Sequence, residues 1–433
     1  MTQVQKSVCA PAASVWWQDP DALSRFVVDL IAGELARLRR GAGSIRSLPW
    51  NGDMRIDADL GADSLELLLL GTALAETIHL HESGIEDYLL ARRTLDEWTD
   101  IARSGLSHFS AALTFRSSGS AGIPKPCIHS IDSLEQEVGE LATLFPGRRR
   151  ILRAVPSHHI YGFLFTVLLP RALGIGAEDI VDLRTSSPAR LAQALRPGDL
   201  VVGHPEFWQA VARCVPRLPP DIVGVTSTAP CPPAVGTALD AAGLAHMVHL
   251  YGSTETAGIG WRTSHSEPYQ LFRYWSFNAD LPNQLKRQLP DGSSLLTDVQ
   301  DALLQQDERT FFVGARLDAA VQVGGINVYP ERVAALLCEH PAVRDAAVRL
   351  MHPGEGGRLK AFVVPQEEDA DAESLRRELH AWIDERLSAA ERPKAWTFGR
   401  HLPRTAAGKL CDWRIDNGVP VPDFSEAGEY PLG

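Results

Sequence analysis

Small residues, hydroxyls and a lysine are concentrated in the segment Phe115–Pro126 (FRSSGSAGIPKP), a pattern suited to binding phosphate. A predicted strand leads into a turn whose small residues are Ser117, Ser118, Gly119, Ser120 and Gly122. Such a turn lets backbone N–H groups converge on an oxyanion, while hydroxyls add donors and Lys125 supplies a point charge. The P-loop spacing GxxxxGK(S/T) is absent. Taken alone, the turn is equally consistent with an ordinary connection.

A second polar segment, HLYGSTETAG at His249–Gly258, follows a predicted buried strand. Within it, Tyr251 is suited to stacking on a purine, Thr254 to hydrogen-bonding a phosphate, and Glu255 to binding Mg²⁺. The alternative is the polar first turn of a helix, with the glutamate at its positive end.

Charged residues in the last third of the chain complete the set. Arg316 and Asp318 stand in VGARLDAAV, with Asp301 fifteen residues before Arg316. Lys409 lies in the glycine-bearing segment PRTAAGKL. Taken singly, each of these is also explained by a surface ion pair or a loop.

In their order along the chain, these segments resemble the motifs of the acyl-adenylating (ANL) superfamily, which includes acyl- and aryl-CoA synthetases, peptide-synthetase adenylation domains and luciferases. The intact or nearly intact motifs are TSGSTGxPK at Ser117–Lys125, PxxHxxG at Pro156–Gly162, YGxTE at Tyr251–Glu255 and PxTxxGK at Pro403–Lys409. The altered motifs are GGAP, here Ser227–Pro230, TGD, here Val299–Asp301, and GRxD, here Ala315–Asp318. The resemblance covers about residues 107–414.

This resemblance implies that ATP and a carboxylic acid form an acyl-adenylate with release of pyrophosphate. Lys409 would then be the catalytic cation between carboxylate and phosphate, Thr254 would hold the phosphate, and Glu255 would bind Mg²⁺. The nucleotide is expected to contact the loop Ser117–Lys125 and Thr228, Ala229, Tyr251, Gly252, Ser253, Asp301 and Arg316. Asp318 is expected to be a hinge between adenylation and thiol transfer.

His159 has two interpretations. The resemblance places it beside the acid pocket, where it would act in catalysis. It is also explained as a hydrogen-bonded histidine that lines the end of a strand.

The predicted helices and strands that must position these residues divide the chain into three regions. Residues 1–106 are predicted to be a helical block, residues 107–317 an α/β domain that binds ATP and the acid, and residues 318–433 a smaller, mobile α+β domain that carries the lysine. In the middle region, the predicted strands Ile151–Val155, Leu200–Val202, Ile222–Val225 and Met247–Leu250 alternate with helices. This alternation indicates a largely parallel sheet with helices packed on its faces.

Composition restricts the function further. A net charge of −12 argues against general binding to nucleic acid, whose phosphates require a basic surface. The six cysteines form no CxxC pair, and no apolar stretch is long enough to span a bilayer. We therefore predict a cytoplasmic protein without a membrane span, a zinc site or a disulfide framework.

The front end of the chain is shorter than the family's. There, ADLGADSLELLLL and RTLDEWTDI resemble an acyl carrier protein, in which the serine of DSL, here Ser64, receives phosphopantetheine. The alternative is that the block is a structural part of the ligase. We favour this alternative because the helix after Ser64 is apolar nearly all round, as expected for burial on both sides.

The substrates follow less directly from the sequence. The aromatic residues Tyr161, Phe163, Phe165 and Trp208 favour a short, flat pocket for a small aromatic acid resembling hydroxybenzoate. Within the superfamily the chain most resembles bacterial aryl-acid ligases of pigment pathways, including the 3-hydroxybenzoate ligases of xanthomonadin biosynthesis, which load an acyl carrier protein. Two alternatives remain: coenzyme A as the acceptor, and a catalytically silent adenylate-binding protein.

Overall fold

The computed structural model describes residues 15–39, 47–117, 125–281, 283–317, 320–352, 355–367, 371–404 and 410–415, without the side chains of residues 188 and 189. The chain divides into two compact units. The first holds the described residues up to Ala315, and the second begins at Arg316. No helix in the described ranges has the length and apolar character needed to cross a membrane.

The first unit starts with helices whose ends are set by capping residues. They are α1 (Pro20–Leu38), α2 (Ser64–Thr77), α3 (Tyr88–Ala91) and α4 (Leu95–His108). The Asp63 side chain accepts from Glu66 N–H while Glu66 reaches back to Asp63 N–H, so a capping box starts α2. This confirms the predicted helix start. Thr94 and Glu97 form the same arrangement at α4.

The predicted burial of α2 on both sides is wrong. Leu67, Leu70 and Leu74 are buried, but Leu65 is 63% exposed and Leu68 is 47% exposed. Leu69 is exposed as well. The reason is that α2 packs against α1, α3 and the following strand, which cover only part of its circumference. The apolar residues around α2 therefore give no support to the interpretation that residues 1–106 are a structural part of the ligase.

A hairpin follows, made of β1 (Ala112–Ser117) and β2 (Lys125–Ser130), with Ser117 opposite Lys125. The remaining elements of this unit are α5 (Ile131–Leu144), β3 (Arg150–Arg153), α6 (Ile160–Phe163), α7 (Leu169–Leu173), β4 (Ile180–Asp182), α8 (Pro188–Ala194), β5 (Asp199–Gly203), α9 (Pro205–Cys214), β6 (Val223–Thr226), α10 (Pro233–Ala241), β7 (His246–Ser253), β8 (Ala257–Arg262), β9 (Tyr269–Leu271), β10 (Trp275–Phe277), β11 (Gln284–Gln288), β12 (Ser294–Asp298), β13 (Asp301–Gln305) and β14 (Thr310–Arg316). A π-helical turn, Leu164–Leu168, joins α6 to α7.

The large sheet has the strand order β13-β14-β9-β8-β7-β6-β5-β3-β4. From β4 to β7 its strands run parallel, as predicted. By contrast, β8 and β9 are antiparallel to their neighbours. Short turns link β7, β8 and β9, and such turns can join only antiparallel strands, whereas parallel strands need a crossover. A separate antiparallel sheet has the order β10-β11-β12.

The central parallel strands, β5 and β6, are buried along their whole length. In β5, Leu200 and Val202 belong to one hydrophobic cluster and Val201 to another. This alternation is expected when helices cover both faces of a parallel sheet.

The second unit is a small α+β module. Its elements are β15 (Val321–Val323), β16 (Ile326–Val328), α11 (Pro330–Cys338), β17 (Val343–Leu350), β18 (Leu359–Pro365), α12 (Ala372–Asp384) and β19 (Ala395–Phe398). Gly324 and Gly325 form the turn between β15 and β16 with φ of 59° and 75°, a conformation that favours glycine. The larger sheet is antiparallel between β17 and β18 and parallel between β18 and β19. The two units together confirm the predicted fold class.

One lysine of this unit is buried completely. Lys360 has an exposed fraction of 0%, and its Nζ lies 3.0 Å from Glu355 Oε2, 3.1 Å from Asp412 Oδ1 and 2.8 Å from the Trp413 carbonyl oxygen. Strand β18 thereby holds the segment at residues 410–415. Leu410 also pairs with Arg404 through a single antiparallel bridge.

A buried carboxylate connects α1 to the segment before α6. Asp29 Oδ2 accepts hydrogen bonds of 2.7 Å from both the backbone N–H and the hydroxyl of Ser157, and it pairs with Arg153. Asp29 Oδ1 lies 2.7 Å from Arg184 Nη2. Burial opposes the charge, but the two arginines and the hydrogen bonds outweigh it and lower the pKa of Asp29 to about 2.

A second buried carboxylate connects α5 to β8. Glu137 accepts the Gly258 N–H at 3.0 Å from each of its oxygens. Its burial raises the pKa to about 7, although Arg287 and the Gly258 hydrogen bond act in the opposite direction. At pH values below about 7, the folded protein therefore holds Glu137 mainly in its protonated form.

We expect Asp29→Ala to lower the free energy of unfolding by about 3–5 kcal/mol, because the buried Arg153 and the partly buried Arg184 lose a fully buried carboxylate partner. Urea-induced unfolding measures this change. The matched control is Asp182→Ala, which removes a more exposed partner of the same Arg153 and should cost at most about 1 kcal/mol. Equal stability of the two variants would contradict the role assigned to Asp29.

We expect Glu137→Gln to change the pH dependence of stability. The pKa of Glu137 is about 7 in the folded protein, above its ordinary value of 4.5. The wild type therefore has a stabilising contribution from Glu137 at pH values below 4.5. This contribution, about 3 kcal/mol, is lost as the pH rises through 7. Relative to wild type, the variant should therefore gain stability between pH 5 and pH 8. Thermal unfolding at both pH values measures this gain, with the exposed neighbour variant Glu135→Gln as the control. A pH-independent difference would refute the prediction.

Candidate active site

The carboxyl ends of the parallel strands bring two of the predicted segments together. The loop after β6 begins at Ser227, whose hydroxyl donates to the Leu250 carbonyl oxygen of β7 at 3.2 Å. Thr228 and Ala229 follow in this loop. Thr228 has φ of 76°, so it adopts the left-handed conformation although the glycine typical of the motif is absent. This edge is where ligands bind in open α/β sheets.

Tyr251 and Asp301 are direct neighbours. The Tyr251 hydroxyl donates to Asp301 Oδ2 at 2.8 Å, which connects the end of β7 to the start of β13. The Tyr251 ring also lies 5.5 Å from Phe311 and 5.7 Å from Tyr269, measured between centroids. Arg316 is the last residue of β14.

The segment with Thr254 and Glu255 is a tight turn between strands, so the alternative of a helical first turn is wrong. Strand β7 continues to Ser253 and β8 begins at Ala257, with only three residues between them. The Ser253 hydroxyl accepts from the Glu255 N–H at 3.2 Å. Gly252 is required here, because a Cβ at this position would lie 2.1 Å from the Ala257 carbonyl oxygen.

The hairpin that encloses the predicted phosphate loop lies against this turn. Cys127 of β2 has a pKa raised to about 11 by burial and by the nearby charge of Glu255. His129 Nε2, also on β2, lies 2.7 Å from the Thr254 carbonyl oxygen. Ser117 and Lys125 end the two strands of the hairpin, whereas Ser118, Gly119, Ser120 and Gly122 lie outside the described residues.

Glu255 is the carboxylate available to a metal ion at this turn. Gln300 Nε2 lies 3.4 Å from Glu255 Oε1. Among the residues that the structure describes, no group of three or more His, Cys, Asp or Glu side chains could hold a metal. A single carboxylate fits Mg²⁺ that is bound mainly through the phosphates of a nucleotide.

His159 is the N-cap residue of α6. The residue is exposed, yet the surrounding protein desolvates its ring and lowers its pKa. Its ring lies 4.2 Å from that of His158, which precedes it in the chain. The adjacent Ser157 is the residue that Asp29 fixes.

The predicted aromatic lining of the acid pocket is largely wrong. Phe163 and Phe165 have no exposed surface, and Trp208 is 1% exposed. Phe163 packs against Trp16 and other rings of the core, while Trp208 belongs to the cluster on the other face of the sheet. These side chains cannot face an open pocket, because the core encloses them. Tyr161 is also buried, and its hydroxyl donates to the Gly203 carbonyl oxygen at 3.0 Å.

Lys409 and Asp318 lie outside the described residues, so their predicted roles stay predictions. Sequence reasoning missed three residues that support the site: Asp29, His129 and Glu137. No local motif marks them, because each acts on a segment more than 100 residues away.

Two family models and several curated proteins match this chain. Residues 64–280 match the family model "AMP-binding enzyme", and residues 332–409 match "AMP-binding enzyme C-terminal domain". The chain is 40% identical over 413 residues to a 4-coumarate–CoA ligase of Cereibacter sphaeroides, covering 91% of this chain and 97% of that protein. It is 39% identical over 392 residues to a 4-coumarate–CoA ligase of Halorhodospira halophila, covering 90% and 98%.

The fold has a solved counterpart in the o-succinylbenzoate CoA synthetase of Bacillus subtilis. The TM-score is 0.59 at 17% identity, over 91% of this chain and 92% of the other. At that identity the likeness concerns the fold alone. From the family model and the full-length relatives we conclude that this chain belongs to the AMP-binding enzyme family of the acyl-adenylating superfamily and is an AMP-forming acid–thiol ligase.

Proposed function

We propose that this enzyme activates a small aromatic carboxylic acid with ATP and transfers the acyl group to coenzyme A. The observation that carries the proposal is the similarity to two 4-coumarate–CoA ligases over nearly their whole length. It favours coenzyme A over the carrier protein preferred from sequence alone. It also favours a phenolic acid of the hydroxycinnamate or hydroxybenzoate class.

In the proposed first step the acid carboxylate attacks the α-phosphorus of ATP and pyrophosphate leaves. Negative charge increases on the transferring group and on the leaving pyrophosphate. Lys409 would stabilise this charge, while Thr254 and Lys125 would hold the phosphates. Mg²⁺, when bound, would neutralise part of the triphosphate charge, and Glu255 is the residue proposed to hold it.

The nucleoside is proposed to lie against the Tyr251 ring and the loop at Thr228 and Ala229. Asp301 would accept hydrogen bonds from the ribose hydroxyls, and its contact with Tyr251 would connect recognition of the base to recognition of the sugar. Gly252 and Ser253 would let the backbone approach the nucleotide. Arg316 would assist at the ribose.

The acid is proposed to bind beside His159. The lowered pKa keeps this ring neutral near pH 7, so it would act as a hydrogen-bonding group. In the proposed second step the thiol attacks the acyl carbonyl carbon, and AMP leaves. Rotation at Asp318 would separate the two steps.

We propose that the N-terminal helices are an integral part of the ligase. Asp29 of α1 holds the segment next to His159, and Glu76 of α2 pairs with Arg116 of β1. His79, just after α2, lies 3.0 Å from the Thr114 hydroxyl. Ser64 itself is exposed, so its modification needs a direct test.

The first experiment measures pyrophosphate release with ATP and Mg²⁺ across hydroxycinnamates, hydroxybenzoates and fatty acids. We expect release with an aromatic acid, reduced about 100-fold or more in Lys409→Ala, because a preorganised cation at the transferring group is lost. The matched control is Lys394→Ala, an exposed lysine of the same unit, which should retain activity. Absence of pyrophosphate release with every aromatic acid would refute the proposal and favour a catalytically silent adenylate-binding protein. Unchanged pyrophosphate release in Lys409→Ala would refute the catalytic role assigned to Lys409.

The acceptor is tested by adding coenzyme A or a phosphopantetheinylated carrier protein to the charged enzyme. We expect an aryl-CoA thioester, formed equally by wild type and Ser64→Ala, because coenzyme A brings its own thiol. Intact mass spectrometry after incubation with coenzyme A and a phosphopantetheinyl transferase reports on Ser64. Transfer of the acyl group only to the added carrier protein, or only to phosphopantetheine on Ser64, would overturn coenzyme A as the proposed acceptor.

A further inference from the structure

The turn that carries Thr254 and Glu255 is held from behind by two buried side chains. His129 Nε2 lies 2.7 Å from the Thr254 carbonyl oxygen, and Glu137 accepts the Gly258 N–H. The Gly258 carbonyl oxygen accepts from Trp275 Nε1 at 2.8 Å. Three peptide groups in and just after the turn are thus fixed to other elements of the first unit.

His129 reaches this turn from the strand that follows the predicted phosphate loop. It lies on β2, four residues after Lys125, and opposite Leu113 of β1. Its ring is buried and packs edge-on against Phe115 at 6.0 Å. A single side chain therefore connects the hairpin of the phosphate loop to the turn 125 residues later.

The chemistry of the contact defines which atom carries the hydrogen. A carbonyl oxygen only accepts, so His129 Nε2 must donate. Burial lowers the pKa of His129, so the ring is neutral near pH 7. The contact is a directional hydrogen bond between neutral groups, and a neutral amide could replace the ring.

The bond also determines how the turn presents Glu255. The carbonyl of Thr254 and the N–H of Glu255 belong to one planar peptide group and point in opposite directions. With the carbonyl directed at His129, the N–H is directed at the Ser253 hydroxyl, which accepts it at 3.2 Å. Rotation of this peptide would move both Thr254 and Glu255.

We propose that His129 is a positioning residue, which aligns Thr254 and Glu255 with Lys125 through its bond to the Thr254 carbonyl so that all three act on one triphosphate. This assignment rests on the proposed function, because it assumes that the turn and the hairpin bind ATP. His129 does not contact the reacting atoms. It acts through the orientation of the turn.

Two matched variants test the assignment. His129→Gln places an amide N–H2 near the position of Nε2 and should keep the bond, whereas His129→Asn is too short to reach the carbonyl. We expect His129→Asn to raise the KM for ATP about tenfold, the effect of losing one such hydrogen bond, with the KM for the acid unchanged. His129→Gln should stay close to wild type. The control His246→Leu, at the other end of β7, should alter neither constant.

Two further measurements separate this assignment from failure of the proposed function. Calorimetric affinity for ATP with Mg²⁺ and amide exchange at Glu255 and Gly258 need no acid substrate. Weaker ATP binding and faster exchange in His129→Asn, both restored in His129→Gln, would support the positioning role even if no acid is turned over. Wild-type affinity and exchange in His129→Asn, or equal defects in both variants, would overturn it.

Discussion

The central strands of the first unit are buried on both faces, and this burial determines where polar chemistry can occur. Hydrophobic side chains cover both faces of β5, so polar groups are confined to the ends of the strands or must find buried partners. Tyr251, Asp301 and the turn at Glu255 all lie at or beyond strand ends. Two of the buried polar side chains, Asp29 and Glu137, each hold a backbone segment near the site in place.

The structure supports its candidate site from elements far away in sequence. Helix α1 fixes the segment beside His159 through Asp29, and β2 fixes the Thr254–Glu255 turn through His129. Asp29 and Glu137 also accept hydrogen bonds from backbone N–H groups that burial would otherwise leave unsatisfied.

The features that depend on residues close together in the sequence were predictable. The helix after Ser64 and the parallel strands followed from apolar runs in the sequence. The exposed Leu65 and Leu68 and the core position of Phe163 were not predictable, because periodicity records apolarity but not which neighbour covers it. The roles of Asp29 and His129 depend on contacts across more than 100 residues, and no sequence window includes both partners.

The altered motif after β6 shows that a backbone conformation can persist when the residue types change. The loop after β6 has lost the glycines typical of its family, yet Thr228 keeps a left-handed φ of 76°. Such a conformation in a threonine costs roughly 1–3 kcal/mol, and surrounding contacts must hold it. One such contact is the hydrogen bond of the neighbouring Ser227 to β7. The backbone shape of the loop is thus retained although its residue types have changed.

The burial of Lys360 has a consequence for where this protein can be shortened. Its ammonium is enclosed by Glu355, Asp412 and the Trp413 carbonyl, so a chain that stops soon after Lys409 would remove two of its three partners. A buried charge that loses a partner is strongly destabilising. The residues just beyond Lys409 are therefore part of the folded unit. A truncated form for expression or crystallisation has to extend beyond Trp413, and a purification tag belongs after that residue.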